Sequence, residues 1–194
     1  MTYLFDRTEG EERRLKLLGQ IYDPLSREVI GAPRGSRRCL DIGAGACTLR
    51  AGLIDFGWAY VGCDRFSQSG NRQCVDLFAD GNSLPFGSGV FDAVHLRMVV
   101  SHIDPPDGAL REAWRVLDAG GSLIVGELDD RYTRSFRPHF DEYRSRRRRI
   151  IARSTYRSDI SYNLSAFVLE ALPGAQLSTE TVYPIVSVAS DDSI

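Results

Sequence analysis

Apolar residues recur along this chain with two different periods, and the alternation between them predicts its elements. Over residues 9–22, Leu15, Leu17, Leu18 and Ile21 stand among charges at helical spacing. Pro24 is expected to end that helix, with a short second one over 25–31. Gly31, Pro33 and Gly35 then lead into a compact apolar run, Cys39 to Ile42, that reads as a buried strand over 38–42. Beyond it the pattern predicts a helix over 46–56, where Leu49, Leu53, Ile54 and Phe56 share a face, and strands over 59–63, 74–79 and 90–96. A helix over 106–117 and a strand over 121–127 follow. This is the βαβ rhythm of a parallel sheet with helices on both faces.

Three stretches depart from the rhythm. Between Asp64 and Asp80 the chain is too short and too polar for a full crossover helix, so a loop or a single turn is expected. Residues 130–160, rich in Arg and aromatics, are expected to form a lid with some helix. Residues 161–172 look helical, and Pro173-Gly174 break the chain before a hairpin of strands at 176–182 and 185–190 around Pro184.

The 194 residues fit one domain, with 1–35 as a helical cover, 36–128 as a core, 129–160 as the lid and 161–194 as a terminal helix and hairpin. A net charge of -2 does not suit a broad phosphate-binding face, so nucleic acid is not expected as a partner. No apolar run reaches the ~20 residues of a membrane helix, and Met1 to Arg7 shows no signal-peptide pattern. No membrane partner is therefore expected, and the expected location is cytoplasmic. Cys39, Cys47, Cys63 and Cys74 contain no Cys-x-x-Cys pair and read as small buried thiols in a reducing compartment. No His, Asp or Glu cluster has metal-ligand spacing, so no metal is expected.

The chemistry starts where the first strand ends, at Asp41-Ile42-Gly43-Ala44-Gly45. A strand turning through two glycines into a helix lets a ligand approach bare backbone at a helix N-terminus. The glycine pair alone is a weak signal, and Thr48 stands where a nicotinamide fingerprint would have its third glycine. Asp41 says more: its carboxylate could hold an ammonium group, orient the loop amides, or simply cap the loop. Asp64, at the tip of the second strand, is placed to accept both hydroxyls of a ribose, with a solvated Asp as the plain alternative. Asp80 and the Gly81 N–H could read an adenine edge, walled by Leu84, Pro85 and Phe86.

Asp-x-Gly-x-Gly, the acid at Asp64, Asp80-Gly81-x-x-Leu84-Pro85-Phe86 with Phe91-Asp92-x-Val94, and Arg115-Val116-Leu117-x-x-Gly120-Gly121 stand in register over residues 36–128. In this the chain resembles the class I S-adenosylmethionine-dependent methyltransferases, near the small-molecule group that includes quinone-biosynthesis enzymes. The resemblance implies a Rossmann-like three-layer α/β/α sandwich with a seven-stranded, mostly parallel sheet. It implies S-adenosyl-L-methionine as cofactor, S-adenosyl-L-homocysteine as product and a small-molecule acceptor methylated at O, N or C.

It also implies roles. Gly43, Ala44 and Gly45 lie under the methionine portion, Asp41 contacts its amino group, often through water, and Arg97 offers a backbone carbonyl nearby. Asp64 binds the ribose, Asp80 and Gly81 read the adenine, and Arg65 and Asn82 beside them are further cofactor-binding positions. Arg14 and Tyr22 would cover the cofactor from the N-terminal helix. Cys47 replaces the motif's usual third glycine, Asp118-Ala119 replaces the usual Lys-Pro, and the crossover helix after Asp64 is curtailed.

Other features have two readings. His102, just after the fourth strand, is a candidate general base or a polar pocket residue, whereas His95 faces the sheet interior and His139 lies in the lid. Asp104-Pro105-Pro106-Asp107 resembles a loop of nucleic-acid amino-group methyltransferases, but an Asp cap followed by Pro at a helix start explains it better. Arg144 to Arg149 could face RNA, clamp an anionic substrate, or form a solvated helix face beside Asp141 and Glu142. Tyr132, Phe136, Phe140, Tyr143 and Tyr156 could line an acceptor site or form the lid's own core. The alternatives to small-molecule methylation are a non-methylating reaction on this fold, an RNA methyltransferase and a non-catalytic partner subunit. A homodimer is left open.

Overall fold

The computed structural model describes residues 9–33, 37–65, 75–129, 131, 139–152, 156–179 and 181. Its elements in chain order are α1 (Glu9–Ile30), β1 (Arg37–Ile42), α2 (Arg50–Asp55), β2 (Trp58–Asp64), β3 (Leu77–Phe78) and β4 (Phe91–Arg97). A 3-10 turn (Val100–His102), α3 (Pro106–Val116), β5 (Leu117–Gly126), α4 (Phe140–Ile151), α5 (Ser158–Tyr162) and α6 (Leu164–Ala171) complete them. The five strands lie in the order β3-β2-β1-β4-β5, and every pairing is parallel. The order reverses beside β1, so a crevice opens beyond the carboxyl ends of β1 and β4.

The sheet is covered on both faces, which explains why its strands read as apolar runs. Leu40 and Ile42 of β1, Val94 and Leu96 of β4 and Phe91 join Leu110, Ala113 and Val116 of α3 and Ile160 and Val168 in one core. Cys39, Trp58, Tyr60 and Ala93 point the other way and meet Leu49 and Leu53, with Ile30 of α1 alongside. The predicted three-layer α/β/α arrangement is therefore present, with five strands rather than seven among the described residues. Residues 176–179 and 181 are not strand, and the rest of the expected hairpin lies outside the described residues.

Several predicted boundaries move, each for a local reason. Pro24 does not end the first helix: α1 runs through it to Ile30. Proline removes one intrahelical bond, but Asp23, Ser26 and Trp58 anchor this half of the helix and its end, Trp58 through its indole N–H to the Gly31 carbonyl at 2.8 Å. β3 is only two residues because the Asp76 carboxylate takes the Gly62 N–H at 2.8 Å, the donor a longer strand would have used. α2 starts only at Arg50, after irregular turns through Thr48 and Leu49.

α3 passes straight into β5, so Gly120-Gly121 do not end the helix. Instead residues 118–121 bulge out between the pairs Phe91–Leu117 and Ala93–Ser122, with Gly120 at φ +80°. Pro106 opens α3 as expected, but the residue before it is Pro105 and Asp104 makes no cap. The predicted helix 161–172 is two, α5 and α6, separated at Asn163. Within the expected lid, α4 is helical, while Tyr132 and Phe136 lie outside the described residues, as does Cys74.

Candidate cofactor and acceptor site

Strand register builds the inner part of the site. Asp41 stands directly beside His95 on β4 and Gly62 on β2, and Tyr60 lies two residues before Gly62 on the same face. Asp41 and His95 are buried at 5% and 2% exposure. The Tyr60 hydroxyl donates to Asp41 Oδ2 at 2.7 Å, and His95 Nδ1 meets Oδ1 at 2.8 Å. The far side of that ring, Nε2, lies 3.1 Å from the Ser26 hydroxyl of α1. Gly62 leaves the room this requires, since a Cβ there would stand 3.0 Å from the Tyr60 hydroxyl.

This chain of contacts decides Asp41's charge. Burial by itself would raise its carboxyl, but the His95 and Tyr60 bonds and the Arg97 charge hold it below the usual carboxylate range. Burial and the Asp41 charge push the Tyr60 phenol well above its ordinary value. Asp41 is thus a buried anion whose two oxygens are each engaged from within the sheet.

The glycine loop above it is preshaped. Gly43 N and Ala44 N both donate to the Cys63 carbonyl, at 2.8 and 3.0 Å, and Gly45 N donates to Asp64 Oδ2 at 2.9 Å. Gly43 and Gly45 have φ of +72° and +55°, and a side chain at Gly43 would run into Val99. Cys47, in place of the motif's third glycine, carries φ +52° with a buried side chain. Leu15 of α1 comes within van der Waals reach of a Cβ built at Gly45, so the helix lies over the loop.

α1 is tied down at the same end. Asp23 accepts from Arg97 and from the Thr48 hydroxyl, the latter at 3.1 Å. Tyr22 is close enough to Arg97 for that charge to oppose the rise that burial gives its phenol. On the other flank, Asp80 Oδ1 accepts from Asn82 N at 3.0 Å, while Arg65 reaches Oδ2 at 3.4 Å. Gly81 is buried, with Ile103 within 2.9 Å of a Cβ built there. Asn82 Oδ1 is buried without a partner.

His102 sits apart from these groups. Its ring lies 4.7 Å from that of Tyr156. Burial and the charges of Arg14 and Arg147, against Glu11, lower its pKa to about 4. Arg14 itself is held by the buried Glu11 at 2.6 and 2.7 Å. His139 lies away from this group, with its side chain 85% exposed.

The structure therefore brings Asp41, Gly43, Ala44, Gly45, Asp64, Arg97 and Tyr22 to one end, Arg65, Asp80, Gly81 and Asn82 to a second, and His102 and Arg14 to a third. The residue types suit S-adenosylmethionine: a half-buried carboxylate at Asp64 for hydroxyls, and a carboxylate beside a close-packed glycine at Asp80-Gly81 for a heterocycle edge. Asp41 fits the methionine amino group less directly, because the sheet already engages both its oxygens.

Four contributors escaped the sequence reading. Asp23 precedes Pro24 and reads as a helix boundary, Ser26 has no motif around it, and Thr48 stands in the glycine motif only as the residue that breaks a nicotinamide fingerprint. Glu127, just past β5, is the fourth: its carboxylate accepts from Ser101 N at 3.0 Å and steadies the 3-10 turn carrying His102. Burial raises its carboxyl despite the backbone bonds it accepts at residues 99–101. A lone acid directly after an apolar strand was the available signal.

Comparison with known proteins finds methyltransferases. Residues 40–125 match a family model described as a methyltransferase domain. A demethylmenaquinone methyltransferase of Beutenbergia cavernae is 38% identical over 108 residues, 52% of this chain and 44% of that protein. One from Renibacterium salmoninarum is 31% identical over 153 residues, 75% of this chain and 64% of that protein. The chain thus spans less than two thirds of either relative. A solved S-adenosylmethionine-dependent methyltransferase of Thermotoga maritima, described as a possible histamine N-methyltransferase, matches in fold with a TM-score of 0.62 at 23% identity. That match covers 88% of this chain and 80% of the other.

Proposed function

We propose, from the premise that this chain belongs to the class I S-adenosylmethionine-dependent methyltransferases, that it methylates a small aromatic acceptor of the quinol type. One observation carries the reading: the loop Gly43–Gly45, Asp64 and Asp80-Gly81 converge beyond the carboxyl ends of adjacent strands, with α1 over the glycine loop. The acceptor class follows the relatives' names, and the single domain and cytoplasmic location remain part of the same proposal.

Bound S-adenosylmethionine supplies a methyl group already activated on a sulfonium sulfur, so transfer is an in-line displacement. The chain's task is to fix two molecules in line, an effect worth up to several kcal/mol. Asp64 holds the ribose hydroxyls while its other contact keeps Gly45 in place. Asp80 and the Gly81 N–H hold the adenine edge. Asp41, fixed by Tyr60 and His95, sets a negative potential under the methionine end rather than gripping it, and Arg97 lies beside that end.

His102 has a different role from that of a strong base. With its basicity lowered, the imidazole is neutral at physiological pH and is suited to orienting an acceptor hydroxyl. Arg14 and Arg147 favour the deprotonated form of such a hydroxyl, leaving little proton removal for the ring itself. α1 and Tyr156 keep water from the reacting groups.

Titration calorimetry with S-adenosylhomocysteine tests the donor half, and absence of binding sinks it. Methyl transfer to reduced demethylmenaquinone, followed by mass spectrometry, tests the acceptor. Bound cofactor with no transfer to any aromatic hydroxyl compound would favour a non-methylating reaction instead.

A further inference from the structure

α4 is the element the proposed site uses least. From Phe140 to Ile151 it buries no residue, and it carries five arginines against Asp141 and Glu142. The two acids lie in its first turn and the arginines in the rest, each sign at the end its helix dipole favours. At helical spacing, Phe140, Arg144, Arg147 and Ile151 turn toward the body of the protein and are half-buried. Tyr143, Arg146 and Ile150 fall together on an outer side, and Tyr143 and Ile150 are 58% and 54% exposed. The Tyr143 ring stacks on that of Phe140 with centroids 6.0 Å apart, which fixes its direction.

The outer face therefore sets an aromatic and an aliphatic side chain beside Arg146, which pairs with Glu142, and next to Arg149, while Arg148 falls on the opposite flank. Nucleic acid would answer the charges and could stack on Tyr143, but it offers Ile150 nothing. A surface of anionic headgroups answers all of them: guanidiniums pair with phosphates while Tyr143 and Ile150 enter the headgroup–acyl boundary. We propose that α4 is a docking helix for an anionic lipid bilayer.

The contact is peripheral, since no helix among the described residues is long and apolar enough to cross a membrane. Arg147, on the inner side of α4, is one of the charges that act on His102, so docking brings the acceptor end of the site to the bilayer. That consequence rests on the proposed transferase reading; the docking itself does not.

The test is co-sedimentation of the full chain with vesicles of phosphatidylcholine alone and of phosphatidylcholine mixed with phosphatidylglycerol. Binding to the mixed vesicles is expected to be stronger by about tenfold or more and to weaken with added salt. The double variant Arg146→Gln/Arg149→Gln lowers partitioning about thirty-fold. Tyr143→Ser/Ile150→Ser lowers it about tenfold. Both variants keep wild-type binding of S-adenosylhomocysteine, which shows that they fold.

Equal binding to the two vesicle types overturns the proposal, as does a double arginine variant that binds like the wild type. Tighter binding to RNA than to vesicles, dependent on the arginines but not on Tyr143 and Ile150, overturns it in favour of nucleic acid. A chain that binds anionic vesicles but not S-adenosylhomocysteine leaves docking standing and removes the transferase reading.

Discussion

Around Asp41 the polar contacts run between neighbouring strands, whereas around His102 they run between a short turn, helices and a segment with no regular structure. The first set is fixed by register: once β1 pairs with β4, Asp41 and His95 must be neighbours, and Tyr60 follows from the period of two. The second set is fixed only when α1 and Tyr156 have all docked. The proposed donor end is thus as rigid as the sheet, and the proposed acceptor end is as rigid as its weakest helix contact.

Breaking the sheet-bound end should have the largest effect. Asp41→Ala strips the partner from two buried groups, Tyr60 and His95, and should lower stability by about 3–5 kcal/mol in chemical denaturation. Gly43→Ala combines a positive φ with a collision against Val99 and should cost about 3 kcal/mol along with donor binding. Val99→Ala added to it should restore part of the loss, because the φ remains. Full restoration would mean that crowding alone, and not backbone strain, demands the glycine.

The acceptor end should show itself through pH. His102 has a folded pKa near 4, below the unfolded value of about 6.5, so the unfolded chain takes up its proton first as pH falls. Its contribution to stability is complete above pH ~6.5 and is lost between there and pH ~4, up to about 3 kcal/mol in all. His102→Gln should flatten that limb of a stability–pH curve; an unchanged limb would assign it to other groups.

Glu127→Ala should cost about 2 kcal/mol by leaving the Ser101 N–H unpaired, while Glu127→Gln keeps an accepting oxygen and should stay near wild type. The smallest effect belongs to the outer face of α4. Arg146→Gln breaks only an exposed pair with Glu142 and should change the melting behaviour by less than about 0.5 kcal/mol.

The same contrast explains what could be read from the chain in advance. The strands around the motifs, β1, β2 and β4, were legible because buried parallel strands and their glycine turn leave a local pattern. The seat of Asp64 at the tip of β2 followed from the same pattern, whereas Asp80 lies two residues beyond the short β3. The continuity of α1 was not legible: proline is a local signal for an ending, and the anchors that carry the helix past it come from Arg97, Thr48, His95 and Trp58. Gly120-Gly121 misled in the same way, since a glycine pair serves a helix end and a strand bulge equally well. Asp41 was recognised as central, but its commitment to Tyr60 and His95 depends on which residues register sets beside it. Glu127 and Asp76 act through backbone donors of distant segments, which no motif records.

The buried cysteines turn this architecture into a clock. Burial pushes the Cys63 thiol up to about 12 and Cys39 higher still, and Cys47 is enclosed in the glycine loop. None of the three can react with a thiol reagent until its surroundings open. Cys39 and Cys63, in the middle of the sheet, time the opening of the whole domain, while Cys47 times the loop alone. With Cys74 replaced by Ser, labelling should proceed in two phases, and a ligand seated on the glycine loop should slow only the faster one.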